Sequence, residues 1–119
     1  MTATETAVAE ARARGAYPHV VDGKHAVDKL SAMDAIAAAL SFPKHFGRNL
    51  DALYDSLTDL SWLQPGEHVL IWPGSDRLKE TDPKAYLAVR AVLSDAQRAL
   101  APSGDRSDDR LLTVVLTEA

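Results

Sequence analysis

The amino-acid sequence predicts an α/β domain in which a small parallel sheet of three strands is flanked by helices. Two segments, HVLIW (68–72) and LLTVVLT (111–117), are continuous apolar runs, a pattern typical of strands buried on both faces. Predicted helices alternate with the strands, which favours parallel pairing because a helical crossover returns the chain to the same end of the sheet. A length of 119 residues suits one domain.

The first predicted element is a helix at the N-terminus. Residues 5–14 are rich in strong helix formers, and Gly15 suits the turn that follows a helix. Because the segment is only weakly amphipathic, it either docks on the domain or forms a loose tail. We therefore predict an N-terminal extension, helical or partly disordered, over residues 1–16 and a single domain over residues 17–119.

A short strand and two helices are predicted next. In YPHVVDG (17–23), two β-branched valines precede Asp-Gly, a pair that favours turns. Ser31 is a favoured N-cap with an aspartate three positions later, and this helix should end before Pro43. Asn49 is expected to cap a second helix that runs to about Leu60.

A third helix is predicted between the two apolar strands. The segment TDPKAYLAVRAVLSDAQRAL (81–100) begins with a threonine or aspartate cap and a proline suited to the first turn. The run APSGDRSDDR (101–110) is expected to form a polar loop before the last strand.

Charge and composition exclude several classes of function. The formal net charge of −4 argues against direct binding of nucleic acid, which needs a basic surface, and is compatible with a basic protein partner. The chain has no cysteine, so disulfides and thiolate metal sites are impossible. The N-terminus lacks a secretory pattern, and no apolar run reaches the roughly 18 residues of a membrane helix. We expect a soluble cytoplasmic protein.

The predicted helix over residues 50–60 separates two kinds of side chain. On a helical wheel its leucines form one stripe that would face the core, and its aspartates stack on the opposite side. The leucines are Leu50, Leu53, Leu57 and Leu60, and the aspartates are Asp51, Asp55 and Asp59. Carboxylates at this spacing repel one another, which indicates a use other than stabilising the helix.

The acidic row has three interpretations when it is considered alone. It is a solvated helix face, a two-carboxylate hydrolase site, or a metal site to which His45 adds a ligand. Both chemical sites are disfavoured, because carboxylates along one exposed helix lack the different environments that divide acid and base roles. No metal-binding or phosphate-binding motif accompanies them in the sequence.

A longer segment around the acidic row carries a more specific signal. The run FPKHFGRNLDALYDSLTDLSW (42–62) joins a proline, an aromatic-Gly pair and Asn-Leu-Asp-Ala-Leu-Tyr-Asp. It closely resembles the signature of the barstar family, the intracellular protein inhibitors of barnase-type ribonucleases, and the order of elements agrees over roughly residues 17–117. The resemblance implies a barstar-like fold and an inhibitor rather than an enzyme, with no cofactor and no metal.

The resemblance also implies a binding surface made by this helix and the loop before it. They would enter the basic active site of a ribonuclease, where a carboxylate can replace an RNA phosphate. Asp55 would be the central anion, Asp51 would support it, and Asp59 would be peripheral. The other expected contacts are Asn49 at the rim, His45 as a stacking ring, Gly47, Arg48, Tyr54, Thr58 and, on the long helix, Asp95.

Three residues depart from the family pattern and bear on the identity of the partner. Arg48 is basic where an acidic residue can occur, His45 can gain a proton near neutral pH, and Ala99 lacks an acid. The expected partner is a basic extracellular-type ribonuclease or a nuclease toxin domain, bound one-to-one by a chain that is monomeric when free. The alternatives are a barstar-fold interaction module, an immunity protein for another nuclease toxin, and an enzyme that uses Asp51, Asp55 and His45.

Several further side chains are expected to be structural or merely exposed. Gly47 is expected to supply a backbone turn that glycine adopts easily. Four aromatic residues are expected in or beside the core: Phe42, Phe46, Trp62 and Trp72. Three histidines without metal-ligand spacing are expected at the surface: His19, His25 and His68.

Overall fold

The computed structural model describes residues 1–101 and 109–118, so most of the predicted polar loop at 101–110 lies outside the described residues. The elements are α1 (Ala3–Ala13), β1 (Tyr17–Val20), α2 (Lys29–Ala39), α3 (Leu50–Asp59), β2 (Gly66–Pro73), α4 (Asp76–Thr81), α5 (Pro83–Ala99) and β3 (Arg110–Thr117). All but α4 correspond to predicted elements. The α4 helix has only six residues and was not predicted, although its N-cap position holds a serine, Ser75, whose side chain makes no capping hydrogen bond.

The strands of the described chain form one parallel sheet in the order β1–β2–β3, which confirms the predicted fold class. In the central strand β2, His68 is aligned with Tyr17 of β1 and with Leu112 of β3. The stretch from His68 to Trp72 is buried throughout, as its continuous apolar run predicts.

Helices cover both faces of this sheet. Because successive side chains of a strand point to opposite faces, β2 contributes to two separate apolar clusters. Leu70 and Trp72 pack with residues of α2, α3 and α5 in the larger cluster. Val69 and Ile71 pack in the smaller cluster with Ala11 of α1, which is fully buried. The site-bearing helix α3 therefore lies on the face opposite α1.

The N-terminal helix is docked on the sheet and is not a loose tail. The Arg14 guanidinium donates to both carboxylate oxygens of Glu67 on β2, over 2.9 and 2.8 Å. At its other end, the Thr4 and Thr117 hydroxyl oxygens are 2.7 Å apart. One sheet face thus depends on residues before position 17 for its cover.

Acid is expected to weaken the attachment of α1 through Glu67. Hydrogen bonds from Arg14 and then from Thr113 lower the pKa of Glu67 from 4.5 to about 2. Since these bonds to the ionised carboxylate exist only in the folded chain, their stabilisation is complete above the unfolded pKa and is lost as the pH falls towards 2. Arg14 is exposed enough for solvent screening, so Glu67→Gln should lower the free energy of unfolding at pH 7 by only about 1 kcal/mol.

Urea unfolding of the wild type and Glu67→Gln at pH 7 and pH 2.5 checks this expectation. The difference between the two proteins should shrink in acid, because at pH 2.5 the Glu67 carboxyl is protonated in the unfolded wild type but still largely ionised in the folded one. A difference of the same size at both pH values would contradict it.

The prediction that Ser31 caps α2 is wrong by three residues. The N-cap is Asp28, and Ser31 is the third helical residue. The Asp28 carboxylate accepts a hydrogen bond from the Ser31 N–H at 2.8 Å, and Ser31 Oγ accepts one from the Asp28 N–H at 3.0 Å. This reciprocal arrangement satisfies two backbone donors, which a cap at Ser31 alone would not do.

The surface prediction for the histidines is correct for His25 and wrong for His68, which is buried, while His19 is half-buried beside it. His19 Nε2 and His68 Nδ1 are 2.9 Å apart, and the outer ring nitrogens contact the carbonyl oxygens of Ala39 and Gln64 at 3.2 and 2.7 Å. Carbonyl oxygens only accept hydrogen bonds, so the outer nitrogen of each ring donates its hydrogen to a carbonyl. The two inner nitrogens, His19 Nε2 and His68 Nδ1, then have a hydrogen between them only when the pair of rings carries one extra proton. Burial opposes that charge and lowers the pKa of His19.

Candidate partner-binding site

The acidic helix α3 is capped by the predicted residue, Asn49. Asn49 Oδ1 accepts a hydrogen bond from the Ala52 N–H at 2.8 Å, and Asn49 Nδ2 donates to the Gly47 carbonyl oxygen at 3.3 Å. One side chain therefore fixes both the start of the helix and the loop before it. The helix ends at Asp59, after which Leu60 takes the left-handed conformation with φ +50°.

The two faces of α3 divide as predicted. Three of the four leucines are fully buried, and Leu50 packs against the edge of the core. The aspartates are exposed on the other side, with Asp51 in the first turn, where the helix dipole favours it. Within the described part of the chain, Asp51 and Asp55 form no ion pair, whereas Asp59 accepts a hydrogen bond from Ser61 at 3.1 Å.

A groove of about 270 Å³ lies between α3 and the preceding loop. The predicted contact residues Asp55, His45 and Gly47 line it together, so the loop and the helix form one surface. The other lining residues are Pro43, Phe46, Ala52, Ser56, Asp59 and Trp62. Asp59 lines the groove as well, because its four-residue spacing from Asp55 brings a second carboxylate to the same side of the helix.

Aromatic side chains hold the loop against the core. Phe42 packs edge-on against Phe46 and Trp62, with ring centroids 5.1 and 5.6 Å away. The Trp62 indole N–H donates to the Leu40 carbonyl oxygen at 2.8 Å. Since Phe46 and Trp62 also line the groove, these contacts fix one of its walls.

The turn in this loop lies one residue later than predicted. The left-handed backbone is at Arg48, with φ +51°, and not at Gly47. A Cβ added to Gly47 would lie 3.4 Å from atoms of Ala52 and Asn49, so the space there does not demand glycine. The Arg48 guanidinium extends to α2, where it donates to both carboxylate oxygens of Asp34 at 2.9 Å, and this pairing raises the pKa of Arg48.

The remaining predicted contact residues lie outside the groove lining. Tyr54 is 37% exposed next to Asp55, and Thr58 Oγ1 donates to the Tyr54 carbonyl oxygen at 2.9 Å. Asp95 is exposed on α5 and forms an ion pair with Arg98 of the same helix. The charge of Asp95 is thus partly neutralised before any partner arrives.

Residues 1–101 and 109–118 contain neither a cluster of metal-ligating side chains nor a helix suited to span a membrane. No group of three or more His, Cys, Asp or Glu side chains there is arranged to hold a metal ion. No helix in those ranges has both the length and the apolar character that crossing a bilayer requires.

Comparison with known proteins gives a match to a family model described as Barstar (barnase inhibitor), over residues 16–117. The matched segment begins after α1 and includes β1, β2, β3 and all the site residues described above. A search of curated proteins gives no match.

Proposed function

The chain belongs to the barstar family, and we propose that it is a one-to-one protein inhibitor of a basic ribonuclease, either a barnase-like secreted enzyme or a nuclease toxin domain. The observation that carries this proposal is the environment of the Asp55 carboxylate. Its carboxylate is exposed, forms no ion pair in the described part of the chain, and lines a groove together with His45.

Inhibition would follow from occupation of the nuclease active site. A ribonuclease holds RNA phosphates with Arg, Lys and His side chains, and carboxylates can make the same charge-assisted hydrogen bonds. Asp55 would meet the catalytic cations. Asp51 lies about one helical turn before it on α3, and Asp59 lies about one turn after it. RNA would be excluded, so the inhibitor needs no chemical step of its own.

The rigidity of the surface supports tight binding. The Asn49 cap, the Phe42 contacts and the buried leucines hold the loop and α3 in one arrangement before any partner binds. Less conformational freedom is then lost on association, which favours affinity. An inhibitor of this type protects the RNA of the cell that makes the nuclease, so the proposal includes a cytoplasmic location and a monomeric free state.

Association with the nuclease is expected to depend steeply on salt. The acidic row should steer a cationic partner, and steering is screened once the Debye length falls below about 10 Å. Raising the salt from 50 to 500 mM should slow association about tenfold or more and change dissociation less than about threefold. Stopped-flow kinetics with a barnase-like ribonuclease measures both rates, and Asp51→Asn should flatten the dependence. An association rate that salt does not change would contradict steering by α3.

A further inference from the structure

We propose that Asp34 is a positioning residue of the inhibitory surface, which acts through Arg48 and need not touch the nuclease itself. The proposal rests on the proposed function for its effect on inhibition. Its geometric part, that Asp34 holds the loop before α3, can be tested without a nuclease.

The contact between the two residues has the geometry of a specific ion pair. Arg48 Nε donates to Asp34 Oδ1 and Arg48 Nη2 donates to Asp34 Oδ2, both over 2.9 Å. Two parallel hydrogen bonds fix the direction of the guanidinium as well as its distance. A lysine at position 48 would keep the charge but could not form this fork.

The pair acts at a sensitive point of the loop. Arg48 lies between Gly47, which lines the groove, and Asn49, which caps α3. Its left-handed backbone, φ +51°, is costly for a residue with a side chain and needs support from its surroundings. Asn49 supports the loop from the α3 side through its bond to Gly47, and Asp34 supports it from α2.

The ion pair also offsets the positive charge of Arg48, which the sequence places beside the acidic row. The Arg48 and Asp34 side chains are about half exposed, at 53% and 50%, so the guanidinium could turn towards a partner if it were released. A second carboxylate on the α2 side, that of Asp28, also attracts Arg48. The family departure at Arg48 is therefore compensated within the chain, and no repulsion of a cationic enzyme needs to result from it.

A double-mutant cycle in binding tests the proposal. Asp34→Asn, which keeps the shape of the side chain, should weaken affinity for a barnase-like ribonuclease about three- to tenfold by freeing the Arg48 cation and the loop. In an Arg48→Gln background the same substitution should change affinity less than about twofold, because its only route of action is gone. An equal effect of Asp34→Asn in both backgrounds would overturn the proposal, since it would show a general charge effect.

Two further variants separate positioning from charge. Arg48→Lys leaves the net charge unchanged and should still weaken binding, because the fork is lost. Asp76→Asn, in the first turn of α4, removes the same charge as Asp34→Asn and should change affinity less than about twofold. If Arg48→Lys binds like the wild type, the orientation of the guanidinium has no role.

Amide hydrogen exchange of the free protein tests the geometric part of the proposal without a nuclease. Asp34→Asn should speed exchange of the Phe46 and Ala52 amides, which donate to the Pro43 carbonyl oxygen and to Asn49 Oδ1, about threefold or more, with little change in the buried β2 strand. Unchanged exchange in the loop would overturn the geometric part. If the wild type inhibits no nuclease while Asp34→Asn still loosens the loop, the proposed function fails and the positioning role of Asp34 stands.

Discussion

Replacing Asp55 with alanine is expected to weaken ribonuclease inhibition by at least about 30-fold without damage to the fold. In the complex this carboxylate would be desolvated among cations, and truncating one partner of such a pair costs about 2–5 kcal/mol or more, a range drawn partly from complexes of this same family. In the free protein Asp55 is exposed and flanked by like charges at positions 51 and 59, so its loss should leave stability unchanged or slightly higher.

Inhibition constants from RNA cleavage assays, together with urea unfolding, measure both parts of this expectation. Asp76→Ala is the matched control, because it removes another exposed aspartate, from a helix that contributes nothing to the groove lining. The expected order of effects is Asp55 first, then Asp51 and Asp59, then Asp76. An Asp55→Ala variant that inhibits as well as Asp76→Ala would show that Asp55 is not the central contact of the surface.

The largest expected effect on stability comes from Gly23, in the turn after β1. A Cβ built on Gly23 would overlap the carbonyl oxygen of Pro73 and lie 3.0 Å from its carbonyl carbon, both in the backbone at the end of β2. Because backbone cannot swing aside like a flexible side chain, either the turn or the end of β2 must move. Gly23→Ala should therefore lower the free energy of unfolding by about 3 kcal/mol or more.

Gly47→Ala is the control for this prediction, since an added Cβ there makes only ordinary contacts and the backbone is not left-handed. Its unfolding free energy should stay within about 1 kcal/mol of the wild type. Urea denaturation of the three proteins at one pH compares them directly. Similar losses for Gly23→Ala and Gly47→Ala would show that the close approach of Gly23 to Pro73 does not limit packing.

The sequence predicts best those features that depend on neighbours along the chain. The leucine stripe of α3, its cap at Asn49 and the Pro83 start of α5 follow from helical spacing and local hydrogen bonding, and the structure confirms them. The apolar runs likewise predict the parallel sheet, because only strands covered on both faces tolerate such runs.

Features that depend on distant partners were not predictable in the same way. His68 is polar by type, yet it is buried, with the Tyr17 and His19 rings of β1 packed against it at centroid distances of 5.0 and 5.1 Å. The sequence around Arg48 suggests an exposed cation without a partner. In the fold, two guanidinium nitrogens of Arg48 lie 2.9 Å from the carboxylate oxygens of Asp34. The docking of α1 also depends on distant contacts, since weak amphipathicity says little about the Arg14–Glu67 pair that attaches it to β2.

The decisive measurement is a titration of ribonuclease activity with the full chain, using barnase-like and related microbial ribonucleases. At nuclease concentrations well above the dissociation constant, RNA cleavage should fall linearly and reach zero near one equivalent of inhibitor, and Asp55→Ala should abolish that endpoint. Full cleavage of RNA by every nuclease of this class in the presence of excess folded protein would contradict the proposed function.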